Sequence, residues 1–335
     1  VKRENDTITL IPGITVGHAQ DQAALTGCTV ILFRQAAVTG VDVRGGMPAT
    51  FGTTSIGATR TNERRNAVFL SGGSTFGLDV ARGILRYLEE RGTGWRTSHG
   101  VVPAVSGAIL YDLAIGRNDV RPDAEMGYEA CCAANERPVD EGSVGAGTGA
   151  TVGKLLGMAR AAKGGIGSTG VRLENGLIVG AIVAVNAVGN VFDLETARTI
   201  AGTRGQSGQG FVELEDLLPG LLDPAHAFPP PAGGRASNTT IGLVATNARL
   251  SHKETIKVAE MAHDGLARSI RPVHMSADGD TIFAAATGEL PARHDVVGHL
   301  AAEELRKAVL RAVRRARSAG GFPGLADSPE LMAGA

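Results

Sequence analysis

Residues 223–238 read DPAHAFPPPAGGRASN, and the chain then switches at once to TTIGLVATNA. Pro229-Pro230-Pro231 and Gly233-Gly234 continue neither helix nor sheet, because proline lacks an amide hydrogen and glycine loses the most backbone entropy on ordering. Residues 239–246 are rich in β-branched side chains and predict a central strand. This is the one clear composition break in 335 residues, and any fold must be closed across it. Two readings fit. One is an exposed linker between domains. The other is a loop that ends at a hydroxyl residue heading a rigid strand, where a backbone cut frees an amine beside a fixed hydroxyl.

The rest of the chain reads as alternating strands and helices. Short β-rich runs cover 28–34, 38–43 and 66–71, each bounded by Gly, Asn or Pro. Leu78, Ala81, Ile84, Leu85 and Leu88 fall at helical spacing and predict a helix over 75–90. Further helices are expected over 126–135, 148–162, 251–268 and 295–318, with strands over 165–173, 176–188 and 281–287. Arg311, Arg314, Arg315 and Arg317 suit the negative end of the last helix.

Composition excludes several classes of function. Hydrophobic residues make up 43% and charged residues 20%, as in a globular protein with a sizeable core. Lys plus Arg (33) nearly balance Asp plus Glu (34), so no global field draws the chain to nucleic acid or an acidic membrane. Small ligands are expected instead. Glycine, at 47 residues, is about twice as frequent as usual but shows no G-X-Y period, which points to tight turns and close backbone approach. Three cysteines, Cys28, Cys131 and Cys132, suggest reduced thiols. With no signal-like start and no apolar run of membrane-spanning length, the expected location is the cytoplasm.

A threonine hydroxyl is a weak nucleophile near neutral pH and needs an adjacent base. Its own α-amine, with a reference pKa near 8, serves once the preceding peptide bond is gone. Cleavage between Asn238 and Thr239 creates both groups on one residue. The motif around them resembles the DmpA-like aminopeptidases, the family that includes β-peptidyl aminopeptidases and nylon-oligomer hydrolases. Ser237-Asn238-Thr239-Thr240-Ile241 followed by Val244-Ala245-Thr246-Asn247-Ala248 is similar to that family's processing site and nucleophile strand, in its threonine form. Val41-Asp42-Val43-Arg44-Gly45-Gly46, Ser71-Gly72-Gly73-Ser74, Ile109-Leu110-Tyr111-Asp112-Leu113, the stretch 145–154, Val185-Asn186 and Asp278-Gly279-Asp280-Thr281 match in order, over about 12–287.

The resemblance implies an α/β fold, a four-layer αββα sandwich of two stacked sheets shared with ornithine acetyltransferase. It implies fragments 1–238 and 239–335 forming one structural domain after autocleavage, and assembly into a homo-tetramer or larger. Thr239 is implied as nucleophile and, through its amine, base. Asp278 and Asp280 are implied to orient that terminus, Tyr111 and Asn186 to stabilise the oxyanion, and Lys154 to stabilise charge during processing. The aminopeptidase branch has a serine nucleophile and a serine and a glutamate where this chain has Asp278 and Asp280, which bears on substrate preference. From the residues alone, each has a plainer reading: a hairpin turn for Asp278-Gly279, a core tyrosine, a strand asparagine and a solvated helix lysine.

Other motifs fall short. Gly145, Gly147, Gly149 and Ala150 satisfy a loose dinucleotide pattern, but the preceding 136–141 is too polar and Pro-broken for the required strand. Gly153-Lys154 fails the P-loop pattern, and Gly72-Gly73-Ser74 lacks the second glycine of a nucleophile elbow, leaving a strand-to-helix turn. The eight histidines show no zinc spacing; His252, His263 and His274 read as helix-surface or strand-end residues. Arg44 and the arginines of 60–65 read as exposed loop, with a carboxylate contact as the other option. No metal or cofactor is expected, and the expected partner is a small peptide or amide. Hydrolysis of such amides is the first functional expectation, acyl transfer of the ornithine acetyltransferase type the second, and a non-enzymatic nucleotide- or metabolite-binding protein the third.

Overall fold

A computed structural model of the chain describes residues 5–206, 208–221, 238–328 and 331. Apart from Asn238, the Pro/Gly-rich break and the linker expected there lie outside them. Among the described residues a nine-stranded sheet dominates. Its strands are β1 (Ile14–Asp21), β2 (Thr26–Val43), β3 (Thr50–Phe51), β4 (Arg64–Ser71), β5 (Val105–Ile109), β6 (Gly165–Arg172), β7 (Ile178–Asn186), β8 (Thr239–Arg249) and β9 (Thr281–Pro291). The order is β6-β7-β8-β9-β2-β4-β5-β3, with β1 paired to β2. The β8/β9 and β4/β5 pairs are parallel.

The two runs read separately at 28–34 and 38–43 are one strand of 18 residues. Its first half pairs with β1 and β4, and its second half, from Val38, pairs with β9. The pairing of β2 with β4 slips register between Leu32 and Ala37. There β9 takes the edge that β1 has left, and the sheet forks into two leaves. The leaves stack face to face. Ile31, Val68, Leu70 and Ala108 from one meet Ile182, Ala184, Leu243, Ala245, Phe283 and Ala285 from the other in a buried core.

Period-two alternation sends the intervening residues the other way. Val179, Ala181, Val183 and Val185 of β7, with Val244 of β8 and Ile282, Ala284 and Ala286 of β9, pack under α3 (His252–Ala267) and α4 (His294–Arg314), named here after α1 (Val80–Glu90) and α2 (Ala124–Ala133). Val30, Ala67, Phe69 and Val105 pack under α1 and α2. The αββα sandwich expected from the resemblance is therefore present, with three apolar layers between four structural ones. Gly83 and Gly127 let α1 and α2 touch, since a Cβ at Gly83 would lie 1.7 Å from the Ala124 carbonyl oxygen.

Several boundaries depart from expectation. The helix expected over 148–162 does not form: Gly153 and Gly157 sit at φ 73° and 88°, and Thr151–Val152 pairs with Ala162–Lys163 as a hairpin. Left-handed glycine stops a helix whatever the apolar spacing. The first turn before α1 is a 3-10 segment, Ser74–Asp79. The last helix ends at Arg314, where Arg311 pairs with Glu141 and Asp6, and Arg314 with Asp193, so these arginines hold partners as well as facing the helix dipole. α3 starts on a Ser251–Glu254 capping box. His252 and His263 are buried rather than on the helix surface, and Arg65, also buried, donates to Ser106 and to the Asn62 carbonyl.

Phe283 is fully buried between the leaves. Phe283→Ala is expected to cost about 3–5 kcal/mol of folding stability through lost transfer energy and a residual cavity. Denaturant unfolding of the variant against the parent chain measures it.

Candidate active site

Thr239 opens β8 at a point where two strands fix its neighbours. Antiparallel register pairs it with Asn186 at the end of β7. Parallel pairing with β9 begins at Ile241 opposite Thr281, which lays the preceding turn, Asp278-Gly279-Asp280, alongside Asn238 and Thr239. The Thr239 hydroxyl lies 2.5 Å from the Asn238 carbonyl oxygen, and the Gly279 N–H donates to that same oxygen at 2.9 Å. Glycine is required at 279, because a Cβ there would come within 2.8 Å of Thr239 Oγ1 and 2.9 Å of the Met47 carbonyl oxygen.

Arg44-Gly45-Gly46-Met47 clamps this turn from behind. The Asp280 carbonyl accepts from Arg44 and Gly45 N–H at 3.0 and 3.2 Å, and the Asp278 carbonyl accepts from Met47 N–H at 2.8 Å. A Cβ on Gly45 would sit 2.3 Å from the Asp280 nitrogen, so backbone meets backbone here. Arg44 itself turns away, pairing with Asp42 at 2.7 Å.

The expected site residues come together in part. Asp280 accepts from Thr240 N–H at 2.7 Å through Oδ1, and from His274 Nδ1 at 2.8 Å through Oδ2. Asp278 bonds back to Met275 N–H through Oδ2, while its buried Oδ1 has no partner among the described residues. Lys154 is buried on a loop, not solvated on a helix, and donates to the Asn186 carbonyl at 3.0 Å and to Asn186 Oδ1 at 2.8 Å. The Asn186 side-chain amide donates to the Tyr111 carbonyl at 2.8 Å. Tyr111 thus reaches the cluster through its backbone. Its phenol makes no hydrogen bond among the described residues, and its side chain lines a small cavity with Lys154, Thr151 and Met158.

Burial dominates the electrostatics. It pushes Asp278 up to about 7, helped by the neighbouring Asp280 charge and opposed by Met275 N–H and by Lys154. Burial pulls Lys154 down to about 7, opposed by Asp278. A second buried lysine, Lys163, donates to the Thr148 and Ala150 carbonyls and is likewise pulled down to about 7 by burial. Asp112, raised by burial, accepts from Gly73 N–H and the Thr26 hydroxyl, which gives the Gly72-Gly73 turn its purpose as a carboxylate cradle. His274 and Lys163 lie in none of the sequence motifs and were not expected at the site; Gly279 and Thr151 lie within matching motifs but carried no expected role.

Stacked leaves between helix layers carry a threonine at the head of a central strand with buried carboxylates beside it. The chain belongs to peptidase family S58, whose match spans residues 6–326, and it is a peptidase-class hydrolase. An uncharacterised aminopeptidase of Mycobacterium leprae is 39% identical over 95% of this chain and 92% of its own length. A 6-aminohexanoate-oligomer endohydrolase of Kocuria is 31% identical over 90% of this chain and 84% of its own. In structure, the L-aminopeptidase D-Ala-esterase/amidase of Ochrobactrum anthropi superposes at TM-score 0.73 with 19% identity, covering 99% of this chain and 94% of that one. A Burkholderia β-aminopeptidase gives 0.69 at 22% identity, over 99% and 94%. Family membership decides against the non-enzymatic binding protein. Among the described residues no helix is long and apolar enough to cross a membrane.

The signs of the two large shifts are opposite in their effect on stability. Folded Asp278 keeps its proton more tightly than the unfolded group between 3.8 and about 7, so its contribution to stability falls as pH rises through that window. Lys154 releases its proton more readily when folded, so its contribution rises with pH between about 7 and 10.5. Asp278→Asn is expected to gain stability relative to the parent as pH climbs from 3.8 to about 7. Thermal unfolding of both proteins across that range is the measurement, and parallel curves would contradict it.

Proposed function

We propose that the chain cuts itself between Asn238 and Thr239 and then works as an N-terminal-threonine amidohydrolase. One observation carries the reading: the buried Thr239 hydroxyl lies against the Asn238 carbonyl, whose oxygen already accepts from Gly279 N–H. Attack by Oγ1 on that carbonyl carbon forms an oxyanion that Gly279 N–H stabilises, a donor typically worth about 3 kcal/mol. Collapse breaks the C–N bond, the hydroxyl proton ends on the departing Thr239 nitrogen, and water hydrolyses the resulting ester. The fragments are 1–238 and 239–335.

In the cut enzyme the new amine takes the proton from Oγ1 as the hydroxyl attacks a substrate amide, then passes it to the leaving amine. Water releases the acyl group. Asp278, with its unpartnered Oδ1, is an acceptor for the new terminus, and Asp280 holds the adjoining Thr240 N–H. Lys154 fixes Asn186 and offsets the Asp278 charge, while Asn186 and Tyr111 are retained as the oxyanion side of the acyl-transfer step. The relatives support amide bonds of small peptides, β-amino acid peptides or ω-amino acid oligomers as substrates. Exposed Trp95, Phe76 and Val102 support assembly into a homo-oligomer, and the free thiols support a reducing cytoplasm.

On a denaturing gel with intact-mass analysis, the purified 34.4 kDa chain is expected to give species of roughly 24 and 10 kDa, in proportion to fragment length. Thr239→Ala is expected to stay whole and lose at least about 10³-fold in amide hydrolysis. An uncut but fully active parent chain, or full turnover by Thr239→Ala, overturns the proposal.

A further inference from the structure

Asp280 is held from two sides. Its Oδ1 accepts from the N–H of Thr240, the residue after the nucleophile, and its Oδ2 accepts from both the backbone N–H of His274, at 3.2 Å, and His274 Nδ1, at 2.8 Å. The carboxylate is therefore a strut between residue 274 and the head of β8. We propose that His274 is a positioning residue for the reaction: its Nδ1–H locks Asp280 in the orientation that aligns the amino end of β8, in the chain break and in turnover alike. This rests on the Thr239 reading above and adds to it a residue six positions upstream of Asp280.

The surroundings fix the place of that imidazole. His274 adopts φ 57°, a left-handed conformation that a non-glycine residue holds only when its neighbours over-determine it. The ring of His263, on α3, stands edge-on to it at 4.8 Å and 71°. His263 Nε2 lies 3.1 Å from the Asp42 carbonyl, an acceptor, so that nitrogen carries the hydrogen. Burial pulls His263 down to about 4, so its ring is neutral near pH 7. On the other face, Asp280 can only accept, which fixes the hydrogen of His274 on Nδ1. The charged groups around the pair are Asp278, Asp280 and Lys154 on the site side, and Asp42 with Arg44 behind His263. Without the Nδ1 donor, Asp280 is a buried carboxylate with one bond fewer, held only by the backbone N–H groups of Thr240 and His274.

The test uses the full chain with four variants and follows hydrolysis of amino-acid p-nitroanilides together with the rate of self-cleavage. His274→Ala removes the donor. His274→Gly removes it while permitting the left-handed backbone. Both are expected to lower kcat about 10- to 100-fold with KM little changed, the cost of a small misalignment at a reacting group. His274→Asn puts an amide N–H where Nδ1 was, tolerates the left-handed backbone, and is expected to restore most of kcat. His274→Gln carries its amide one carbon farther out and is expected not to. Parent-level kcat in His274→Gly, or equal rescue by Gln and Asn, overturns the role, because packing alone would explain either. Thr239→Ala is run alongside. If it is inactive while His274→Gly matches the parent, only the positioning role falls; if it keeps turnover, both fall.

Discussion

Everything at the site depends on burying opposite charges at the head of one strand. Asp278, Asp280 and Lys154 are almost fully buried, and an ionisable group taken out of water is costly unless hydrogen bonds and a counter-charge replace its solvation. Here backbone does most of that work. Met275 and Thr240 N–H groups reach the carboxylates, and the Asn186 carbonyl reaches the lysine. The bound turn then presents Gly279 N–H to the Asn238 carbonyl.

That arrangement requires the two leaves to share a strand. β2 runs through both, and as it passes from β1 to β9 it delivers Arg44-Gly45-Gly46-Met47 to the back of the carboxylate turn. The loops after β5 and around Lys154 close the other side, Tyr111 through its carbonyl and Lys154 through its ammonium, both on Asn186. A two-sheet core with no shared strand would have to hold these loops by side chains alone. Backbone contacts keep Thr239, Asn186 and the Asp278 turn in one fixed relation.

Part of the core was readable from residue type. The β-branched run from Thr239 and the apolar run over 281–287 both form strands, and the helices expected over 251–268 and 295–318 form as α3 and α4. The hairpin at 151–163 was not readable as such, because apolar spacing at Leu155 and Met158 imitates a helix while left-handed Gly153 and Gly157 forbid one. The pair 28–34 and 38–43 looked like two strands because polar residues interrupt the pattern at the register slip. His263 read as a helix-surface or strand-end residue because a lone histidine has no spacing that reveals burial.

The sequence by itself determined where the chain carries a strand headed by a hydroxyl, and which short motifs lie on the loops around it. Those are local properties, set by β-branching, proline, glycine and residue order. Only the tertiary structure decided which of those loops meet: that Gly279 faces the Asn238 carbonyl, that Lys154 is buried on Asn186, and that Asp280 leans on a histidine. The first two of these join residues 41 and 32 positions apart through strand register and desolvation, and neither is written in the neighbourhood of any one of them.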